Sequence, residues 1–206
     1  MTIVHGVRLS PFVRKVLCLL EEKGLAYENP RLLPFPKTDE LLAMNPLGKI
    51  PIFEDGDLRV PDSSVICAYL ERIHPTPPLY PSDPVDYART LWYEEYADTA
   101  VATTTGAVFL HRFLRPRFFD KACDEEVVAK ILSEDLPPVF DYLERSIGER
   151  EFLVGGAFTL ADIATCSPIA NLQMGDEQVD RGRWPRFADY VERILSRPSF
   201  KTILAE

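Results

Sequence analysis

The stretch "HPTPPLYPSDP", His74 to Pro84, places five prolines in eleven residues. Proline fixes φ and has no N–H, so this segment can neither continue a helix nor donate along a sheet. It marks a domain boundary. With 206 residues the chain is long enough for two modest cores. The expected division is 1–76, a linker over 77–84, and 85–206.

Before the prolines, strand and helix signals alternate. "TIVHGV" is a short β-branched strand. From Pro11, the apolar residues Phe12, Val13, Val16, Leu17, Leu19 and Leu20 share one side of a helix, with Arg14, Lys15, Glu21 and Glu22 off that side. Gly24 is placed to end it. "LAYENPRLL" reads as a second strand, and a parallel pair with a helical crossover is the economical arrangement. "TDELLAMN" is a short helix with Thr38 as its cap. "KIPIFEDGDLRV" is a hairpin around Asp55-Gly56, the signal of a type I′ turn. "DSSVICAYLERIH" is a helix behind polar capping residues. The order is βαβαββα, that of a thioredoxin-like α/β domain.

After the prolines no convincing strand remains, so the second domain is expected to be all-α. "VDYARTLWYEEYADTAVATTTGAVFLHRFLR" is a long helix, expected to bend near Gly106 and to stop at Pro116. "DEEVVAKILSEDLPPVFDYLERSI" follows, with a kink expected at Pro137-Pro138. "TLADIATCSPIANLQ" and "PRFADYVERILS" supply two more helices. Thr159 and Asp162 form a capping-box pattern, and Phe158 and Ile163 stand at hydrophobic-staple spacing. That is a folding feature, and a cap of this kind contributes about 1 kcal/mol without a ligand.

Composition narrows the function. The net charge is −9. Residues 1–80 carry 9 basic and 10 acidic side chains, and residues 81–206 carry 14 and 22. Neither part has the basic surplus that phosphate-backbone binding requires, which argues against nucleic acid. No uninterrupted apolar run reaches the roughly 18 residues of a membrane span. The start "MTIVHGVRLS" does not read as a signal peptide. Cys18, Cys67, Cys123 and Cys166 are far apart, with no CxxC or Cys/His cluster. Reduced thiols in a cytoplasmic protein, and no metal site, are the expectation.

Ser10-Pro11 is by itself a good helix start, with serine as N-cap and proline in the first turn. Its position raises a second possibility. In redox members of the thioredoxin-like order, this place carries Cys-Pro-x-Cys. Here the four residues are Ser10, Pro11, Phe12 and Val13, so dithiol exchange through the motif is excluded. Asp62-Ser63 likewise reads either as a plain N-cap or as an anion site at a helix start.

Together with "SPFVRKV", the segments "NPLGKIPIF", "DGDLRVPDSSVICAYLE", "PPLYPSDP" and "FTLADIA" resemble, in this order and spacing, a cytosolic glutathione transferase of the serine type, in its tau-like and related bacterial branches. The similarity covers essentially the whole chain. It implies that residues 1–76 bind glutathione as co-substrate and that Ser10 is the catalytic hydroxyl favouring the thiolate. Ile50-Pro51 matches a cis-proline corner facing the peptide backbone of glutathione. Ser63 and the helix start would hold the γ-glutamyl carboxylate, with Asp62 facing the ammonium group. Lys37 and Lys49 match basic positions at the glycyl end, and Phe12 is implied as a further contact.

The resemblance also implies a hydrophobic electrophile as partner, bound near Leu9, Thr103, Ala107 and His111, and a homodimer. The cluster His111, Arg112, Arg115 and Arg117 reads either as recognition of a polar acceptor or as ordinary basic residues near a helix C-terminus. Alternatives to conjugation are glutathione-dependent isomerisation, dehalogenation or peroxide reduction. The isomerase branch carries Ser-Ser-Cys at the first helix, which "LSPFVRKV" lacks. A non-catalytic interaction module on the same fold is the remaining alternative.

Overall fold

The computed structural model describes residues 2–205. It divides into two compact units, the chain up to Tyr80 together with the segment from Pro198, and Pro81–Arg197.

The first unit runs β1 (Thr2–His5), α1 (Pro11–Glu22), α2 (Asp39–Met44), β2 (Ile52–Asp55), β3 (Leu58–Val60) and α3 (Ser63–Ile73). The sheet is three-stranded in the order β1-β2-β3, with both pairs antiparallel. The expected second strand is reduced to a single parallel bridge, Ile3 to Glu28. Its ladder is brief: Val4 N–H donates to the Glu28 carbonyl (2.8 Å), Glu28 N–H to the Thr2 carbonyl (2.9 Å) and Gly6 N–H to the Pro30 carbonyl (3.1 Å). Pro30 cannot donate back, which is why the pairing stops there. The hairpin forms as expected, but only Gly56 of its two central residues has positive φ (+59°), the pattern of a type II′ turn.

Helix α1 departs from its amphipathic reading. Every residue from Val13 to Leu20 is buried, including Arg14 and Lys15, which the spacing had assigned to the polar side. Its rear is covered by α11 (Pro198–Leu204), whose Phe200 and Ile203 are buried and whose Ser199 Oγ donates to Glu22 Oε1 (2.5 Å). At the C-cap, the buried ammonium of Lys23 meets three oxygens at 2.7 Å: the His74 and Pro77 carbonyls and Glu71 Oε2. Glu71 also accepts from the Leu79 N–H (3.2 Å). The end of α1 is thereby tied to the end of α3 and to the proline segment.

The second unit is helical. Helix α4 (Pro84–Tyr96) runs through a π-helical turn (Ala97–Val101) into α5 (Ala102–Phe109). A second π-helical turn (Leu110–Leu114) leads into α6 (Arg115–Phe118). The irregularity expected at Gly106 therefore lies to either side of it. Pro116 lies just past the π-helical turn, and the helix continues through it to Phe118 rather than stopping there. Helix α7 (Glu125–Lys130) passes through a third π-helical turn (Ile131–Asp135) into α8 (Leu136–Ile147), with Pro137-Pro138 in its first turn.

Helices α9 (Leu160–Met174) and α10 (Pro185–Leu195) complete the unit. The capping box forms at α9. The buried Asp162 carboxylate accepts from Thr159 N–H (2.8 Å), Leu153 N–H (3.0 Å) and Tyr190 OH (2.9 Å). Burial raises its pKa, and the hydrogen bonds oppose that rise.

Replacing Lys23 by Met leaves the Glu71 carboxylate and two carbonyls without their cation. A loss of about 3 kcal/mol is expected, as for other broken buried ion pairs. Urea denaturation should show it, and the Lys23→Met/Glu71→Met double variant should be more stable than Lys23→Met alone.

Candidate active site

The sheet register brings three chain segments to one end of the first unit. His5 at the end of β1 pairs with Ile52 at the start of β2, and Phe53 pairs with Val60 at the end of β3. The residues leaving β1 (toward Ser10), entering β2 (Ile50-Pro51) and leaving β3 (Asp62-Ser63) therefore share that end. A Cβ placed on Gly6 would lie 3.5 Å from the Ile50 Cβ, which fixes how closely the β1–α1 turn passes the proline corner.

At the first segment, Ser10 is the N-cap of α1 and half-buried. Its backbone N–H donates to the Val7 carbonyl (2.9 Å), and its Oγ accepts from the Val13 N–H (3.4 Å). A hydroxyl used as acceptor retains its proton for donation. Phe12 lies on the first turn of α1, and Leu9 precedes the cap; both are half-buried. Gly6 has φ of +150°, and its missing Cβ would stand 2.5 Å from Val13 Cγ2. Only glycine allows the turn to pass so close to α1.

At the second segment the Ile50-Pro51 peptide is cis, as the resemblance implies, and both residues are buried. The buried Asn45 holds the loop before it. Asn45 Nδ2 donates to the Lys49 carbonyl (2.8 Å), and its Oδ1 accepts from the Leu47 N–H (2.9 Å). Lys37 Nζ donates to the Leu47 carbonyl (3.0 Å), and its methylenes lie against Gly48. Lys37, before α2, is thus bonded to the loop after α2 that carries Lys49, and both lysines are exposed.

At the third segment the exposed Asp62 carboxylate caps α3, accepting from the Ser64 and Val65 N–H groups at 3.0 Å. Ser63 is buried just behind it. Lys15, buried in α1, donates from Nζ to Ser64 Oγ (3.0 Å), so α1 and α3 are joined directly at this end.

The remaining candidates lie in the helical unit. Thr103 is exposed and Ala107 half-buried, one turn apart on α5. His111 lies in the second π-helical turn, its Nδ1 3.3 Å from the Arg115 guanidinium. Arg112 pairs with Glu177 (2.5 Å) and Glu125 (3.3 Å), and Arg117 stacks over Phe113 at 4.1 Å from the ring centroid. A cavity of about 470 Å³ also lies in this unit, lined by Gln173, Val179, Arg181, Val191 and Leu195. Its guanidinium is committed to Asp189 and Glu192, and it contains none of the candidate residues.

Among the described residues no cysteine is in a disulfide. Cys18 lies two turns into α1, where burial pushes its pKa far above the ordinary thiol range. It cannot supply a thiolate at the helix start. Among the described residues, no group of three or more His, Cys, Asp or Glu side chains could hold a metal ion. Among the same residues, no helix is long and apolar enough to cross a membrane.

Sequence reasoning passed over the two asparagines that shape this end. Asn29 Nδ2 donates to the Val4 (2.7 Å) and Gly6 (3.2 Å) carbonyls, and Asn45 acts as described. Each stands directly before a proline, in Asn29-Pro30 and Asn45-Pro46. That dipeptide is a turn-initiating signal, and it could have drawn attention to both.

Comparison with known proteins agrees with this architecture. The pattern described as "Glutathione S-transferase, N-terminal domain" matches residues 4–78, and "Glutathione S-transferase, C-terminal domain" matches residues 109–206. The chain is 32% identical to Glutathione S-transferase 4 of Zea mays, covering 95% of this chain and 88% of that protein. It is also 32% identical to Elongation factor 1-gamma 2 of Oryza sativa subsp. japonica, over 93% of this chain but only 46% of that protein. The chain thus spans about half the length of that relative. A solved glutathione S-transferase from Rhodospirillum rubrum F11 superposes with a TM-score of 0.90 at 26% identity, covering 100% of this chain and 93% of the other. Sequence patterns, relatives and fold agree that this chain belongs to the glutathione S-transferase family.

Proposed function

We propose that this protein is a glutathione transferase that binds glutathione across the shared end of its sheet and adds the thiolate to a hydrophobic electrophile. The observation that carries the reading is the convergence of the α1 N-terminus, the cis Ile50-Pro51 corner and the α3 N-terminus at that end. Each offers what one part of the tripeptide needs.

Ser10 would donate to the glutathione sulfur while its Oγ keeps its cap bond to Val13. The partial positive charge of the α1 N-terminus adds to this. A free thiol titrates near pH ~8.5, and such surroundings bring it to roughly 7. The thiolate then forms the carbon–sulfur bond. A halide leaves with the bonding pair when the acceptor is an aryl halide, and the adjacent carbon takes a proton when it is an enal.

The main chain of Ile50 would pair with the peptide of glutathione, and Phe12 would flank it. Ser63 and the start of α3 would hold the γ-glutamyl carboxylate, with Lys37 and Lys49 toward the glycyl end. Asp62 already accepts two backbone hydrogen bonds, and an ionised carboxylate has lone pairs left for an ammonium group. The acceptor would meet Leu9, Thr103, Ala107 and His111. A cytoplasmic homodimer is part of the same reading.

The similarity to an elongation factor favours one competing reading, a non-catalytic interaction module on this fold. Titration with glutathione while following thiolate absorbance separates the two. Binding with a bound-thiol pKa about one unit or more below that of free glutathione supports the enzyme, and no binding at millimolar glutathione would leave the module. Ser10→Ala should retain binding and return the thiol pKa toward ~8.5, cutting turnover at neutral pH by about tenfold or more. Asn45→Ala should do the reverse. Loosening the Leu47–Lys49 loop should weaken glutathione affinity by about tenfold, equivalent to about 1.4 kcal/mol, while leaving the bound-thiol pKa in place.

A further inference from the structure

Arg14 is an unusual residue to find in the interior of α1. Its side chain is fully buried, among apolar neighbours that include Val13, Val16 and Leu17. A methionine would fill a similar volume without removing a cation from water, so helix packing alone does not account for arginine. What the guanidinium reaches is informative. Its Nη2 donates to the Arg8 carbonyl (3.0 Å), two residues before Ser10.

That bond completes a set of restraints on the turn between β1 and α1. Asn29 holds the Val4 and Gly6 carbonyls, and its Oδ1 accepts from Arg8 Nε (3.4 Å). The Val7 carbonyl takes the Ser10 N–H, and the Ser10 carbonyl takes the Arg14 N–H (2.9 Å). Arg14 thus touches the turn twice, from its backbone at Ser10 and from its side chain at Arg8. The Arg8-Leu9 peptide is one step before the Leu9-Ser10 peptide that enters the cap. Its rotation would swing Ser10 Cβ and Oγ together.

We infer that Arg14 is a positioning residue for the thiolate site, its buried guanidinium fixing the Arg8 carbonyl and through it the direction of the Ser10 hydroxyl. The inference rests on the glutathione reading above. Burial lowers the Arg14 pKa to about 10, with Cys18 one turn further along opposing that effect, so the group stays a cationic donor at neutral pH. A charged donor suits the task, because bonds from an ionised group are shorter and stronger than neutral ones.

The test is the bound-thiol titration of glutathione in wild type, Ser10→Ala, Arg14→Met and Arg14→Lys, with Kd and denaturation midpoint measured alongside. In Arg14→Met the thiol pKa should rise by about one unit, about a fivefold loss of thiolate fraction at pH ~7, while glutathione Kd changes less than about threefold. Arg14→Lys keeps a charged donor in reach and should titrate between wild type and Ser10→Ala. A merely structural Arg14 would lower the midpoint of both variants and leave the thiol titration at the wild-type value, which would overturn the proposal. Should Arg14→Met not fold, the same comparison is decided by Arg14→Lys: a raised thiol pKa supports the role, an unshifted one overturns it. If wild type itself forms no bound thiolate, the glutathione reading fails first, and the wild-type titration reports that separately.

Discussion

The position of β2 between two antiparallel neighbours is the constraint on which the candidate site depends. Because β2 runs against both β1 and β3, its start lies beside both of their ends. Were β2 parallel to both neighbours, the α1 and α3 N-termini would still share one end, but the proline corner at the start of β2 would lie at the other. With the observed register, two helix starts and one proline corner arrive together.

What keeps that end in shape is a group of buried and half-buried polar side chains rather than apolar packing alone. Asn29 and Asn45 satisfy carbonyls that the turns leave open, Lys15 joins α1 to α3, and Arg14 holds the turn before Ser10. Loops cannot supply their own hydrogen bonds as helices do, so side chains must. Lys23 does the same service at the far end of α1, where it gathers the proline segment. Asp162 does so at the start of α9.

Much of this was legible in the sequence because it rests on local chemistry. Ser10-Pro11, Thr38, Asp62 and the Thr159–Asp162 pair announce helix starts through capping, which is a property of neighbouring residues. Asp55-Gly56 announced the hairpin, although the turn proved to need positive φ at Gly56 alone. The remainder depended on tertiary context. Arg14 and Lys15 looked solvent-facing from their spacing, but α1 is covered nearly all round, and periodicity cannot see that. "LAYENPRLL" is apolar enough for a strand, yet Pro30 cuts its ladder after one bridge. The π-helical turns beside Gly106 have no composition signal to read. Of the candidate site, the three motifs were found where the register brings them together, whereas the asparagines that hold the loops were missed because their partners are carbonyls, which every residue has.

The central claim is that these three segments form one ligand site. Titration of the isotope-labelled protein with glutathione, followed by amide NMR, tests it most directly. The account predicts that the largest shifts fall together on the N–H groups at Ser10–Val13, Ile50, and Ser63–Val65, saturating with a single dissociation constant. Shifts confined to the helical unit, or separate constants for the three segments, would contradict it.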